Sequence, residues 1–376
     1  MTSRDVKTSI YSLSVMISTT IGIGIFSLPY VAVKVGIMAT LVYFIILGAL
    51  VTIIHLMFGE LALKTPDYMR LPGFAKYHLG SAAEVAIFAI IIVSAIGSMV
   101  AFASIGGEFL YDTAGAWFGG PQLLYSAIYL LCGSLLIFLG IDLVEKIEFW
   151  GLIAFFLSMA VIVFKASPFF NWNNLLANTG GWGDIFLPYG PILFSLWAAS
   201  SIPEVEEMLG RKRKKKFLLP IIWISSMIAL AVYLIFIVSV VGFTGVVTTE
   251  SALDGFGQIF RGGLLEIVFL FGLVTTFTSF VIFGLTLKKI LHYDLKISKT
   301  LSWAITAFLP LILLFAGLNN FIAIISFIGG VTLGLEGIII LMMYQKTRPD
   351  RKVLTYPLGL AMFAAVFYEI VYFFKF

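Results

Sequence analysis

The chain has 376 residues, of which 60% are hydrophobic and only 12% charged, with a formal net charge of +4 and a mean hydropathy of +1.06. Ordinary soluble domains carry roughly 25% charged residues, so water is excluded as the solvent for most of this surface. A single cysteine, Cys132, excludes an intrachain disulfide, and the three separated histidines, His55, His78 and His292, make no metal-ligand or nucleophile motif, so neither an enzyme nor a bound cofactor is expected.

In chain order, a hydropathy window predicts an all-α integral membrane protein with eleven spans, near 9–34, 37–63, 82–110, 123–141, 148–166, 184–209, 217–242, 263–291, 300–317, 319–344 and 355–374. Each approaches the roughly 20 apolar residues that cross a bilayer. Turn signals separate them at Lys64-Thr65-Pro66-Asp67, Gly119-Gly120-Pro121, 171–183 and Thr347-Arg348-Pro349-Asp350. No segment is long enough for a separate soluble domain, so 1–376 reads as one transmembrane unit whose partner is the lipid bilayer. No small-residue cleavage site follows the first run, which therefore reads as a retained span.

The basic residues orient these spans. With the N terminus in the cytoplasm, all but Lys34, Lys165, Arg261 and Lys375 of the 24 Lys and Arg residues fall on the inner side. The expectation is a multi-pass protein of the cytoplasmic membrane with its C terminus outside. The run Arg211 to Lys216, wedged between two spans, reads as a topology anchor and not as a nucleic-acid patch. Glu204, Glu206 and Glu207 precede it and are expected to pair with Lys or Arg in an intracellular gate.

Two spans are anomalous in the same way. The first holds Ser18-Thr19-Thr20-Ile21-Gly22-Ile23-Gly24-Ile25-Phe26-Ser27-Leu28-Pro29, and the sixth holds Pro188-Tyr189-Gly190-Pro191 followed by Ser195 to Glu204. Glycine lowers the cost of leaving the helix, proline removes a donor, and hydroxyls re-satisfy freed groups, so both read as discontinuous helices. Spans one to five (9–166) and six to ten (184–344) have similar lengths and each opens with its broken helix. An odd number of spans per half makes the halves enter from opposite sides, the pattern of a 5+5 inverted repeat, with 355–374 as an additional helix.

Free N–H groups at Gly22, Ile23, Gly24 and Ile25 suit a carboxylate, because they form the positive end of a half-helix. Carbonyls at Thr19, Thr20, Phe194 and Ser195 suit an ammonium, so the pair of breaks fits a zwitterion. Trp197, Phe26 and Phe102 offer an apolar subsite, with Ala198 and Ala199 leaving space. The expected substrate is a neutral amino acid, apolar or aromatic.

Four strings carry a family resemblance: TTIGIGIFSLPYV in span one, GELALKTPDYMRLPGFAKYHLG after span two, FSLWAASSIPEVEEMLGRKRKKKF in span six and TTFTSFVIFGL in span eight. In this order and topology the chain resembles the amino acid/auxin permeases and the bacterial aromatic amino acid permeases of the amino acid, polyamine and organocation superfamily. Ala198-Ala199-Ser200-Ser201 departs from the histidine- or glycine-containing pattern of several members. The resemblance implies a secondary transporter working by alternating access and coupled to a cation.

Thr275, Thr278 and Ser279 share one helix face by their i, i+3, i+4 spacing. The resemblance implies that this face meets the first break, where the Ser18 and Ile21 carbonyls complete an all-oxygen Na⁺ site. Helix hydroxyls otherwise bond their own carbonyls. For proton coupling, the intramembrane candidates are Glu336 and His55. An amino acid receptor of the same fold, binding without transport, is the alternative reading.

Overall fold

The computed structural model describes residues 3–66, 69–139, 144–253, 255–256 and 263–373. Asp67, Arg261, Lys375 and the predicted span ends at 141 and 374 lie outside the described residues, as do the side chains of Arg4, Lys7, Lys146, Arg211 and Lys212.

The described chain is helical and without strands: α1 (Ser3–Thr20), α2 (Gly24–Val35), α3 (Ile37–Ala62), α4 (Leu71–Leu79), α5 (Ser81–Phe118), α6 (Gln122–Leu139), α7 (Val144–Ala166), α8 (Tyr189–Leu196), α9 (Ile202–Thr244), α10 (Gly263–Lys289), α11 (Lys299–Phe315), α12 (Phe321–Phe327), α13 (Gly334–Thr347) and α14 (Lys352–Phe373). Among these residues eight helices are long and apolar enough to cross a membrane, nine when the bent pair α1–α2 is one span, and α11 is a shorter apolar helix. Apolar side chains run around the whole circumference of these helices, so their outer faces need an apolar solvent too. Ile45, Phe164 and Leu360 are 72%, 77% and 69% exposed. In water such faces would associate, whereas hydrocarbon solvates them.

Both predicted breaks are present. α1 and α2 meet at 48° across Ile21-Gly22-Ile23. α8 ends at Leu196, where Trp197 turns extended (φ −80°, ψ 122°) and Ala198 irregular (φ −140°, ψ 23°). α9 resumes at Ile202 with Pro203 in its first turn, a place where the missing proline N–H has no helical acceptor to lose. α1 packs on α9 and α7, α2 on α3, α8 and α9, and α8 on α3 and α12. The broken helices therefore occupy the centre of the bundle.

Three local features differ from the sequence reading. The basic run Arg211 to Lys216, read as lying between two spans, is itself helical: the chain turns at Gly210 (φ 66°, ψ 170°), a conformation open to glycine, and the seventh span starts immediately. The buried pair Lys214–Glu206, at 2.6 Å, braces that turn. Span ten is interrupted by a wide π-helical turn over Ile328–Leu333. There the bare Gly329 admits the Gly190 carbonyl and the bare Gly330 admits Glu369 of α14. Between spans two and three, α4 is a short helix whose His78 lies 2.8 Å from Thr65 Oγ1. Burial, helped by Lys346, holds that imidazole below its ordinary pKa.

Candidate functional site

Both breaks open onto one cavity of about 1120 Å³. Ser18, Thr19, Thr20, Ile21, Gly22, Ile23, Gly24, Phe102, Phe194, Ser195, Trp197, Thr275, Thr278, Ser279 and Glu336 all line it. The remaining predicted residues do not: Ile25, Ala198 and His55 are buried behind the wall. Phe26, expected in the apolar subsite, instead packs edge-on against Phe109, Phe236 and Phe271 and closes the cavity toward α2.

At the first break the amides divide into used and unused. Gly22 N–H donates to the Thr20 carbonyl (2.9 Å) and Phe26 N–H to the Ile23 carbonyl (3.1 Å). Ile23 and Gly24 N–H have no acceptor among the described residues. Within the predicted Gly22–Ile25 stretch these two are the donors without an acceptor among the described residues, the chemistry that suits an anion. The two glycines differ in role. A side chain at Gly22 would meet nothing within 4 Å, whereas one at Gly24 would run into Ser195, whose Cα lies 3.0 Å from the added carbon. Gly24 is thus the point where one broken helix rests on the other.

The carbonyl side is corrected by a residue that the sequence reading missed. The Tyr233 hydroxyl lies 2.5 Å from the Thr20 carbonyl and 2.6 Å from the Ser195 carbonyl. It has one proton for two acceptors, and it fills the space in which an ammonium would have met both carbonyls. Nothing distinguishes this tyrosine from others in the sequence, because only the fold brings span seven between the breaks. The Phe194 carbonyl has no donor among the described residues, since Ala198 N–H, its regular helical donor, turns instead to His55 Nε2 at 3.3 Å. His55 must therefore accept at Nε2, and a neutral ring carries its proton on Nδ1.

The second break is cross-braced further. Trp197 Nε1–H donates to Glu336 Oε1 at 3.0 Å, and its ring meets His55 edge-on at 5.3 Å. Ser201 Oγ donates within the turn to the Ala198 carbonyl at 2.8 Å and lies 3.1 Å from Met16 Sδ of α1. On the opposite wall, Thr278 Oγ1 and Ser279 Oγ each lie 3.1 Å from the Thr275 carbonyl of their own helix. α10 packs chiefly on α5, α6, α7 and α11, and its hydroxyl face lines the same cavity as the first break.

The two ends of the cavity are unlike. Toward α2, the loop after α7 is fastened over the bundle by Thr179 N–H to the Val33 carbonyl (2.9 Å), Gly180 N–H to the Lys34 carbonyl (3.1 Å) and Asn171 N–H to the Gly242 carbonyl (2.9 Å). At the other end the lining includes Arg70, Glu207, Lys289 and Asp294, and Arg70 pairs with Glu207 at 3.2 Å across the mouth. Of the three predicted gate glutamates, Glu207 thus meets Arg70 and Glu206 meets Lys214, while Glu204 lines the cavity.

An apolar chamber that joins two helix breaks in a membrane bundle, with a polar mouth at one end, is the geometry of a carrier. The profile of the tryptophan/tyrosine permease family matches residues 6–373. This chain belongs to that family. The permease is also similar to the tyrosine-specific transport system 1 of Haemophilus influenzae, with 25% identity over 295 residues covering 74% of this chain and 71% of the relative. It is a multi-pass membrane transporter of the amino acid permease type and not an enzyme, and the resemblance to aromatic amino acid permeases holds over nearly the whole chain.

Proposed function

We propose that this permease is a secondary active transporter that carries a neutral aromatic amino acid across the cytoplasmic membrane by alternating access, coupled to a cation. The observation that carries the reading is the meeting of the two breaks on one chamber, with the unpaired Ile23 and Gly24 amides at one edge and aromatic walls around it. The amides fit a carboxylate, the Phe194 carbonyl fits an ammonium, and Phe102, Phe155 and Phe271 on the lining fit a ring. The family and the tyrosine-specific relative support an aromatic cargo.

In the same reading, the bent pair α1–α2, the pair α8 and Ile202–Leu209, and α11 complete eleven spans in a 5+5 inverted repeat followed by α14. The N terminus is cytoplasmic, the C terminus is outside, and the Arg70–Glu207 mouth faces the cytoplasm because it lies among the basic loops. Two cation routes compete. Ser18, Ile21, Thr275, Thr278 and Ser279 surround the space for Na⁺, and Glu336 with His55 offers a proton route at the second break.

The test is uptake of labelled tyrosine, tryptophan and phenylalanine into proteoliposomes under an imposed Na⁺ gradient, an imposed pH gradient, or neither. Accumulation under one gradient is expected. Saturable binding without uptake under any gradient would replace the transporter reading with that of an amino acid receptor.

A further inference from the structure

Glu336 is 4% exposed and sits on the cavity lining at the start of α13. Its Oε1 accepts the indole N–H of Trp197 at 3.0 Å. Its Oε2 has no partner among the described residues. Trp197 cannot readily take up that second oxygen as well, because its ring is held in place. Gly337 lets the indole lie against α13, where any side chain would meet the ring at 2.9 Å, and His55 meets the ring at 5.3 Å. One carboxylate oxygen is therefore committed to the protein, and the other is an unpaired acceptor on an otherwise apolar aromatic wall. That oxygen opens onto the chamber; once a ligand fills the chamber and excludes water, an acceptor left without a donor is costly, and a ligand that supplies the donor avoids that cost.

We propose that Glu336 is the specificity-determining residue of the site: its Oε2 accepts a hydrogen bond from the ring donor of the substrate, the indole N–H of tryptophan or the phenol O–H of tyrosine, and so disfavours phenylalanine. The proposal rests on the amino acid reading above and deepens it. The ring binds at the Trp197–Glu336 end of the chamber. The α-carboxylate binds at the Ile23 and Gly24 amides, which reach this end because Gly24 rests on Ser195, two residues before Trp197. An amino acid without a ring donor leaves Oε2 dry and unpaired, and sites of this kind reject such analogues far more strongly than apolar pockets reject a change in size.

The test is competition against labelled tyrosine on the purified full-length permease by tryptophan, 1-methyltryptophan, tyrosine and phenylalanine, in the parent and in Glu336→Gln. The parent is expected to prefer tryptophan over 1-methyltryptophan, and tyrosine over phenylalanine, by about ten- to hundredfold. In Glu336→Gln the amide oxygen turns to the Trp197 N–H and its NH₂ faces the chamber. Tryptophan should then lose its preference, tyrosine should lose less because its hydroxyl can also accept, and phenylalanine should change less than threefold. A parent that binds all four alike would overturn the assignment, as would a variant that weakens all of them by one common factor. The methylated ligand tests the parent alone, so the result stands even if the variant does not fold. Failure of every aromatic amino acid to bind the parent would instead defeat the amino acid reading itself.

Discussion

The two helix breaks are built on opposite plans. The first is bare: Gly22 has open space beside it, and the Ile23 and Gly24 amides have no acceptor among the described residues. The second is bracketed from three sides by His55, Glu336 and Met16. Backbone that leaves a helix at membrane depth must find partners or line a cavity. The second break has found protein partners, and the first lines the cavity with two amides unpaired among the described residues. Under the proposed function, the first break recognises the amino acid backbone and the second holds an aromatic wall in place. Gly24 against Ser195 and Tyr233 between the Thr20 and Ser195 carbonyls tie the two breaks together.

The largest expected effect breaks that contact. Gly24→Leu should abolish amino acid binding because the side chain runs into Ser195, and it should lower the melting temperature as well. Gly22→Ala, which has room, should keep the parent's melting temperature and weaken substrate binding several-fold by crowding the amides. Equal behaviour of the two glycines, in melting and in binding assays, would erase the distinction drawn between them.

Tyr233→Phe comes next. It removes the donor that the Thr20 and Ser195 carbonyls share, leaving Thr20 with the Gly22 N–H, a cost of about 1–3 kcal/mol, and frees the breaks to separate. A lower melting temperature together with altered substrate affinity is expected; unchanged values in both would remove Tyr233 from the site.

For His55 the sharper comparison is between two variants. His55→Leu leaves Ala198 N–H buried without an acceptor, at a cost of about 1–3 kcal/mol, while His55→Gln can restore an acceptor but cannot pass a proton. Uptake driven by a pH gradient that survives in His55→Gln makes His55 a bracket of the second break. Uptake that is lost in a variant of parental stability makes it part of the proton route.

The smallest effect on the empty permease is expected from Thr278→Val combined with Ser279→Ala, since both hydroxyls bond only within their own helix. If this face holds Na⁺, substrate affinity measured in Na⁺ should fall to its value in choline, with the choline value nearly unchanged. A parent indifferent to Na⁺ and driven by a pH gradient would dismiss the sodium route and leave Glu336 and His55.

Composition and local chemistry determined a great deal of this molecule before any folding. Apolar runs too long and too numerous for a soluble core dictated membrane helices, and the Gly22-Ile23-Gly24 and Pro203 signals placed both breaks, because glycine and proline act on the backbone they belong to. Ser18 to Gly24, Phe102, Phe194, Ser195 and Trp197 line the cavity. What the tertiary structure decided is which polar groups are spent on the protein and which remain for a ligand. Tyr233 taking the two carbonyls, His55 taking Ala198 N–H, Glu336 dividing its oxygens and the π turn at Ile328–Leu333 are pairings between residues far apart in the chain. Hydrogen bonds are settled by distances of about 3 Å, and only packing sets those between helices that the sequence merely lists in order.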